Sequence, residues 1–312
     1  MVAKKFYLLR TFLVFLIAFC FVSNGKADLT VYFLDVGQGD SAIIVCDDEA
    51  MIIDGGLPGQ SSKIHSFLED LHIKELVYVV ATHPDQDHIG GLPAVLQQVK
   101  VRYVFSPVEK YSSDRFDDLL RYTKNQRKRI KVPYDKEEHY LGKTGEAKIT
   151  FYNCGKKNFV QSLKDKVSSI INRNEPEENH ENNDISLVVR IDYGNVAFLF
   201  TGDIEKDAEQ RLLQDTEVNL KADVIKISHH GSDSSSSRAF LQKVNPTYAV
   251  ISCGESNKFG HPSATTLKSL LEMDIKLFRT DMQGDITFSS DGETITFNTE
   301  KQAQGDLYQV QR

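Results

Sequence analysis

The chain has few cysteines, fewer basic than acidic residues, and no long apolar run after its first 27 residues. Four of 312 residues are cysteine, and Cys46, Cys154 and Cys253 show no Cys-x-x-Cys spacing. This excludes the usual thiolate zinc site, allows at most one disulfide, and indicates three small buried side chains. A spanning helix needs about 20 apolar residues, so none is expected after residue 27. No repeat of fixed period is visible either.

Residues 1–27 differ from the rest of the sequence. Three basic residues, an apolar run over 11–22 and a short polar stretch ending at Ala27 follow one another. This order is typical of a signal peptide cleaved after Ala27, and it predicts a secreted or periplasmic protein. An uncleaved anchor is the alternative, for which the run is short. Lipidation at Cys20 is disfavoured because Phe19 is bulky.

Removal of this segment makes the chain more acidic. The whole sequence carries 37 lysines and arginines against 44 acids, a net charge of −7. Residues 1–27 contain four of those bases and no acid, so 33 bases remain and the net charge becomes −11. Such a chain has no general electrostatic attraction for nucleic acid.

The remaining sequence, 28–312, has the pattern of one layered α/β domain. Short runs of β-branched and aromatic residues come first as a meander and later alternate with amphipathic stretches. This order predicts packed sheets with helices outside. The expected helices cover 60–72, 91–99, 113–130, 204–214, 236–244 and 263–272.

Two stretches are interpreted as insertions, 107–145 and 156–184. The second has almost no apolar residue over 172–184. The first carries a basic cluster interleaved with aromatic residues, which is either a solvated helix face or a local contact to a phosphate backbone. We define the basic cluster as Arg121, Lys124, Arg127, Lys128, Arg129 and Lys131.

The strongest signal lies between an apolar strand and an amphipathic stretch, over 82–91. Four candidate metal ligands fall within six residues there: His83, Asp85, Asp87 and His88. On an irregular turn the first two can face one ion and the last two a second, and imidazole with carboxylate suits zinc or manganese. The alternative is a polar loop with an N-cap aspartate, but packing gives no reason for such a concentration.

Two further strand ends complete the candidate site. Asp203 follows one apolar run, and an aspartate there can bridge two ions. His229 and His230 follow the next. On an extended strand adjacent side chains face opposite ways, so only one is expected to bind metal. We assign His229 to the metal and His230 to proton donation, although the spacing leaves this order open.

Other polar residues at strand ends are given supporting roles. Asp35, Gln38 and Asp40 lie in a glycine-rich turn, and Asp54 ends another strand. Turn chemistry or hydrogen bonds to the histidines explain them better than direct ligation.

The ordered set of motifs resembles the metallo-β-lactamase superfamily, and within it the hydrolase domain of the ComEC/Rec2 DNA-uptake proteins. Together the motifs span roughly residues 29–290. They are Asp35–Ser41, Ile53–Gly56, His83–Gly91, Asn183–Val188, Thr201–Asp203, Ser228–Ser232, Phe259–Pro262 and Arg279–Asp281.

This resemblance implies a four-layer αββα sandwich, two divalent ions (zinc or manganese) and a metal-bound hydroxide that attacks a phosphodiester. It also implies substrate contact or support by Asn183, Ser186 and Ser232, and substrate contact or proton donation by His261. Asp87 is expected to orient the nucleophile.

The sequence departs from the family pattern in three respects. Asp85 stands where the superfamily commonly has histidine, which shifts metal preference somewhat towards manganese. The usual third-motif histidine is missing, so one ion has fewer ligands unless Asp184 or a water completes its shell. No channel segment is present, so a role in DNA import does not carry over.

The sequence thus predicts an exported binuclear phosphodiesterase, either a nuclease or an enzyme acting on another phosphate ester such as phosphorylcholine. The expected partner is a phosphodiester, nucleic acid included; nothing indicates an oligomeric state. The alternatives are a lactone or β-lactam hydrolase, which needs a more apolar pocket, and a secreted binding module that has lost catalysis.

Overall fold

The computed structural model describes residues 28–154 and 183–310. The predicted signal peptide and most of the predicted insertion over 156–184 lie outside the described residues. Within these two ranges, no helix combines the length and apolarity needed to cross a membrane.

The described residues form two mixed sheets. The first has the strand order β15-β14-β1-β2-β3-β4-β5-β6 and the second β13-β12-β11-β10-β9-β8-β7. In chain order the strands are β1 (Leu29–Phe33), β2 (Ala42–Cys46), β3 (Glu49–Ile53), β4 (Glu75–Val80), β5 (Lys100–Phe105), β6 (Ile130–Lys131), β7 (Glu138–Leu141), β8 (Ala147–Tyr152), β9 (Val188–Tyr193), β10 (Val196–Phe200), β11 (Val224–Lys226), β12 (Tyr248–Ile251), β13 (Lys276–Arg279), β14 (Ile286–Ser290) and β15 (Ile295–Thr299).

Helices lie at the places that the apolar periodicity predicts. The six longer ones are α1 (Ser61–Asp70), α3 (Leu92–Gln98), α4 (Asp114–Asn125), α5 (Lys206–Gln214), α6 (Arg238–Val244) and α7 (Ala264–Glu272). Two single α-helical turns, α2 (Gln86–Ile89) and α8 (Thr280–Gln283), and two short 3-10 helices, Pro58–Gln60 and Ser228–Gly231, also occur in the described residues.

The side chains of these elements form three apolar layers. One layer lies between the two sheets and is rich in phenylalanine, including Phe33, Phe198 and Phe288. A second packs α1, α3 and α4 against the outer face of the first sheet. The third packs α5, α6 and α7 against the outer face of the second. Helix, sheet, sheet and helix thus follow in order, and the predicted αββα sandwich is confirmed.

Parallel strands in each sheet bring their carboxyl ends to one edge of the sandwich. Strands β3 to β6 are parallel neighbours in the first sheet, and β10 to β13 in the second. The hairpin between β1 and β2 reaches the same edge, since Phe33 pairs with Ala42 and Ala42 with Ile53. The carboxyl ends of parallel strands are the usual place for a site in such sheets.

The stretch 107–145, interpreted as an insertion, is built into both sheets. It contains α4 and β6, and β7 lies at the far edge of the second sheet. Phe116 and Leu119 of α4 belong to the core. The side chain of Gln126, just after α4, bonds Val101 N at the amino end of β5. Lys124, Arg127 and Lys128, which flank Gln126, therefore lie towards the amino end of β5, whereas Lys131 pairs with Phe105 at the carboxyl end of that strand.

The cysteines are buried, as the sequence predicts. Cys46, Cys154 and Cys253 are free thiols in the described residues. Burial raises the pKa of Cys46 to about 12, and it also raises the pKa of the other two. All three therefore act as apolar side chains at neutral pH.

Candidate metal centre

Four strand ends bring a cluster of histidines and aspartates together. Asp54 follows β3, and the 82–88 loop follows β4 in the first sheet. Asp203 follows β10, and His230 follows β11 in the second sheet. The sequence-predicted residues that were far apart along the chain therefore meet where the two sheets face each other.

A glycine lets the β1–β2 loop close over the 82–88 loop. Asp40 N donates to the backbone oxygen of Asp87 at 3.1 Å. At Gly39, φ is +126° and a Cβ atom would lie 2.2 Å from that same oxygen. Only glycine fits such a backbone approach, so the glycine-rich turn has a structural reason.

Three histidines of this cluster have buried Nε2 atoms without a hydrogen-bond partner. They belong to His83, His88 and His230, whose exposed fractions are 0%, 0% and 2%. A buried polar atom left unpaired costs about 1–3 kcal/mol, so three together need an explanation. Imidazole Nε2 atoms next to carboxylates are the donor set that a divalent ion of the zinc type takes. The residues present therefore fit a metal.

The Nδ1 atoms of the same rings are all occupied. His88 Nδ1 is 2.8 Å from Asp54 Oδ2, and His83 Nδ1 is 3.1 Å from Thr82 Oγ1. Thr82 Oγ1 itself donates to Asp54 Oδ2 at 2.6 Å, which leaves it to accept from His83. His230 Nδ1 donates to the backbone oxygen of Ser252 at 2.9 Å. These partners assign the proton to Nδ1 in each ring and leave a lone pair on each Nε2.

Two carboxylates lie on the Nε2 side. Asp203 Oδ2 is 3.2 Å from both His88 Nε2 and His230 Nε2. Asp87 Oδ2 is 3.2 Å from His230 Nε2. Burial alone would raise the pKa of Asp203, but the charges of His230, His88 and Lys226 hold it well below its usual range. Burial also acts to raise the pKa of Asp87, but the contact with His230 lowers it. Both carboxyl groups are therefore ionised at neutral pH.

Asp40 lies on the other side of the rings. Its Oδ1 is 3.3 Å from His230 Nδ1, and its Oδ2 is 3.8 Å from His88 Nδ1. Asp40 and Asp203 thus enclose the two imidazoles from opposite faces, with the free Nε2 atoms towards Asp203. One ligand atom from each of Asp40, His88, Asp203 and His230 lies within 4.8 Å of the others, so the supporting role expected for Asp40 stays a prediction beside direct ligation.

The environment separates the histidine pKa values in the absence of an ion. Burial and the neighbouring charge of His88 lower the pKa of His83 to about 3. Burial also acts to lower the pKa of His88 and His230, but the surrounding carboxylates, Asp203 first, raise both well above the usual value. Without an ion, His88 and His230 therefore each take up a second proton, on Nε2, and the lone pair described above belongs to the neutral ring that binds a metal.

A buried lysine below the cluster was not found from the sequence. Lys226 is 3% exposed; its Nζ contacts Asp40 Oδ2 and lies 3.5 Å from Asp203 Oδ1. Nζ also donates to the Gly202 oxygen at 3.1 Å. The sequence does contain a sign of it, since Lys226 is the one charged residue in the apolar strand Val-Ile-Lys-Ile. Buried parallel strands are normally apolar throughout, so a lysine there needs a buried partner.

His229 and His230 do not lie on an extended strand. Both have left-handed backbones, with φ of 49° and 52°, and they form a tight turn after β11. The turn places His230 inside the cluster and His229 on its outer side. There, His229 Nδ1 lies 3.1 Å from Glu205 Oε1 and 3.2 Å from Ser234 Oγ.

Asp85 and the first turn lie at the margin of the cluster. Asp85 Oδ2 is 3.8 Å from His83 Nε2, and its side chain is 35% exposed. Asp35 Oδ1 accepts from Gly37 N at 3.1 Å within its own turn. Gln38 Oε1 accepts from Gly254 N at 3.2 Å. Asp35 and Gln38 therefore shape the rim and do not reach the histidines.

The segment 183–188 supports Asp203 from below. Ser186 Oγ accepts from Asp203 N at 3.2 Å, and Asn183 Nδ2 donates to Glu205 Oε1 at 3.1 Å. Asp184 Oδ1 accepts from Glu205 N at 2.8 Å. The Asp184 carboxylate is thus bonded to the backbone of Glu205 and does not take the place of the missing third-motif histidine in the cluster.

Ser232 and His261 lie on the second-sheet side of the opening. Ser232 is buried, and its Oγ is 2.9 Å from Ser234 Oγ in the same turn. The His261 ring is 6.1 Å from that of His230 and 5.3 Å from that of His229. Burial and the charges of these two neighbours lower the pKa of His261 to about 4. It is a neutral imidazole at neutral pH, which suits hydrogen bonding better than acid catalysis.

Comparisons with known proteins agree with this fold. The family model described as "Metallo-beta-lactamase superfamily" matches residues 34–255. ComE operon protein 3 of Bacillus subtilis is 28% identical over 297 residues, which cover 89% of this chain and 35% of that protein. Competence protein ComA of Neisseria gonorrhoeae is 28% identical over 268 residues, covering 86% and 33%. The chain thus spans about a third of the length of these relatives.

A solved structure shows the same fold. The metallo-beta-lactamase fold protein YhfI from Bacillus subtilis superposes with a TM-score of 0.50 at 11% identity, covering 80% of this chain and 95% of that one. At such identity the likeness concerns the architecture alone.

Proposed function

Because this chain belongs to the metallo-beta-lactamase superfamily and is related to competence proteins of the ComEC type, we propose that it is an exported, binuclear metal-dependent phosphodiesterase. The observation that carries this proposal is the placement of three buried Nε2 atoms beside carboxylates: those of His88 and His230 at Asp203 and Asp87, and that of His83 at Asp85.

The ligands divide into two groups with one shared residue. His83 and Asp85 would hold one ion, and Asp87, His88 and His230 the other, with Asp203 between them. This proposal exchanges the roles first given to His229 and His230, because His230 is the one whose Nε2 faces the carboxylates. His229, bonded to Glu205 and Ser234 at the rim, faces the opening.

Charge supports two ions rather than one. Five carboxylates surround the cluster, those of Asp40, Asp54, Asp85, Asp87 and Asp203. Lys226 is the one lysine among them in the described residues. With neutral histidines, four negative charges remain uncompensated, as many as two divalent cations carry. Buried charge of that size is very unfavourable unless it is neutralised.

The chain's own residues would prepare the reaction in three ways. Asp54, Thr82 and Ser252 keep the Nδ1 protons in place and so point the Nε2 lone pairs inwards. Lys226 fixes Asp203 through Oδ1, which leaves Oδ2 towards the histidines. His261, neutral at pH 7, would donate a hydrogen bond to a substrate oxygen. Divalent ions in such a site supply Lewis acidity, which acidifies water and stabilises negative charge on a phosphate.

The ligand set leaves zinc and manganese as the two candidates. Three imidazoles suit zinc, whereas three carboxylates, Asp85, Asp87 and Asp203, favour a harder ion. We propose manganese as the better fit at the more exposed position beside Asp85.

A phosphodiester substrate is proposed from the relatives and from the opening of the site. One relative is the competence protein ComA, and another is Recombination protein 2 of Haemophilus influenzae, which is 26% identical over 273 residues. Lysine and histidine side chains at 258 and 261 border the opening. The basic cluster does not carry this proposal, because its residues around Gln126 lie towards the amino end of β5, away from the carboxyl-end edge.

Export is proposed from the sequence of residues 1–27 alone. Basic residues followed by an apolar run are typical of a cleaved signal peptide. Expression in a bacterial host with an export pathway, followed by N-terminal sequencing of the product, tests this. A mature chain that starts at Asp28 would agree, and a chain that retains Met1 in the cytoplasm would contradict export.

The function is tested by metal analysis and turnover of the protein beginning at Asp28. Metal content is measured by mass spectrometry, and hydrolysis is followed with manganese or zinc on bis-p-nitrophenyl phosphate, single-stranded DNA, p-nitrophenyl phosphorylcholine and nitrocefin. Asp203→Asn removes the shared carboxylate charge. Asp207→Asn, at an exposed position in the first turn of α5, is the matched control.

Two ions per chain and phosphodiester turnover, both lost in Asp203→Asn and retained in Asp207→Asn, are the expected results. Turnover of nitrocefin alone would show that the proposed substrate class is wrong and would leave the proposed metal centre unchanged. An absence of bound metal and of turnover on all four substrates would leave a binding module as the better description.

A further inference from the structure

Phe259 is the most exposed of the large hydrophobic side chains in the described ranges, at 57%. It lies in the loop 254–262, which follows β12 at the carboxyl-end edge. Its ring is stacked on that of His261, with centroids 5.8 Å apart and planes at 23°. The His261 ring is 6.1 Å from that of His230 in the metal centre. A largely exposed aromatic side chain therefore lies two rings away from the metal centre.

The loop that carries Phe259 is held by one side chain. Asn257 Oδ1 accepts from Phe259 N at 3.2 Å and from His261 N at 3.0 Å. Asn257 Nδ2 donates to the backbone oxygens of Gly254 at 2.9 Å and of His261 at 2.6 Å. Gly254 N is bonded in turn to Gln38 of the first sheet. Because the backbone is bonded on both sides of the ring, Phe259 is presented to solvent by an ordered loop.

A cation accompanies the ring. Lys258 Nζ lies 5.1 Å from the Phe259 centroid, and Lys258 is exposed. In the described part of the chain, no carboxylate lies within ion-pair distance of its Nζ. A ring face next to an available ammonium group is the combination that single-stranded nucleic acid uses, a base on the ring and a phosphate on the cation. The same ammonium would repel a quaternary ammonium group such as choline.

We propose that Phe259 stacks a nucleobase of a single-stranded nucleic acid substrate, while Lys258 contacts a neighbouring phosphate. This inference rests on the proposed phosphodiesterase function and names its substrate class. It assigns base recognition to the second-sheet rim of the opening. The proposal involves no residue of the basic cluster.

The test compares an oligonucleotide that carries bases with one that lacks them. A twelve-residue thymidine oligonucleotide and an oligomer of equal length with abasic sites throughout carry the same phosphates. Binding of each to the Asp203→Asn protein is measured by fluorescence anisotropy, and cleavage of each by the metal-loaded protein is measured separately. Phe259→Leu keeps an apolar side chain without a ring, and Phe259→Tyr keeps the ring. Tyr140→Leu removes an exposed aromatic ring, 50% exposed, from the outer strand β7.

Phe259→Leu should weaken binding of the thymidine oligomer by about 5-fold to 100-fold, the usual range for one stacked base. It should change binding of the abasic oligomer by less than 2-fold, and Phe259→Tyr and Tyr140→Leu should bind both as the parent does. Equal binding of the thymidine oligomer by Phe259→Leu and parent would overturn the stacking proposal, as would equal weakening for both oligomers. Loss of cleavage with selective binding retained would overturn the phosphodiesterase proposal alone.

Discussion

Asparagine in place of Asp54 tests whether the hydrogen bonds behind the histidines control metal binding. Asp54 Oδ1 accepts from Thr82 N at 2.8 Å, and Oδ2 accepts from Thr82 Oγ1 at 2.6 Å and His88 Nδ1 at 2.8 Å. An asparagine oxygen can replace Oδ1. Its Nδ2 then faces two donors, and His88 relieves the conflict only by moving its proton from Nδ1 to Nε2.

A proton on His88 Nε2 removes the lone pair that the ion needs. Changes to the partner of a metal-binding histidine cost about 10-fold to 100-fold in metal affinity, which corresponds to about 1.4–2.7 kcal/mol. The backbone adds no separate cost, because φ at Asp54 is 59° and asparagine tolerates that region as well as aspartate does.

The measurement is the dissociation constant for manganese and for zinc, obtained by titration calorimetry on metal-free protein. Ser41→Ala is the matched control, since Ser41 Oγ donates only to the backbone oxygen of Asp54, at 3.2 Å. A Tm of the metal-free variant close to that of the parent shows that the fold is retained. Affinity for both metals within 2-fold of the parent would refute the reasoning, because His88 would then not depend on Asp54 for its orientation.

Three further outcomes are expected. Chelation of the ions should lower the Tm by roughly 11–22 °C relative to protein with free metal at 100 times the Kd of each site, since that occupancy contributes about 2.7 kcal/mol for each of two ions; an unchanged Tm would contradict a metal centre in the native state. Gly39→Ala should destabilise far more than Gly260→Ala in urea unfolding, because a Cβ meets Asp87 O at 2.2 Å in the first and nothing within 4 Å in the second. Metal binding should release protons at neutral pH. Burial acts to lower the pKa of His88 and His230, but the surrounding carboxylates raise both, so these rings are protonated until an ion displaces the proton. The apparent metal affinity should therefore rise with pH up to those raised pKa values. Identical calorimetric heats in two buffers of different ionisation enthalpy would rule this out.

Much of the fold was readable because the apolar pattern is strong. Each of the six predicted helices corresponds to one observed helix. Strand β10 is buried at every position, as expected of a strand covered on both faces. The 82–91 motif located the first-sheet half of the site, since four ligand types within six residues have no packing explanation. The four-layer order followed from the family resemblance and is confirmed.

Other features depend on backbone geometry that a sequence does not reveal. The left-handed turn at His229 and His230 decides which ring enters the cluster, and period-2 reasoning does not apply to it. The place of the basic cluster depends on the direction of α4 relative to β5, which only the packed sheet shows. Lys226 was overlooked because a lysine in an apolar strand reads as an edge position until its buried carboxylate partners are known.

The donor atoms of the centre come from both sheets, His83 and His88 from the first and Asp203 and His230 from the second. A molecule whose sheets have come apart retains every one of these side chains, but each sheet then offers only its own part of the donor set: His83 and His88 on one, and Asp203 and His230 on the other. The number of tightly held ions per chain therefore counts correctly assembled molecules in a preparation. Before any substrate is known, metal stoichiometry can serve as the quality control of purification, storage and variant comparison.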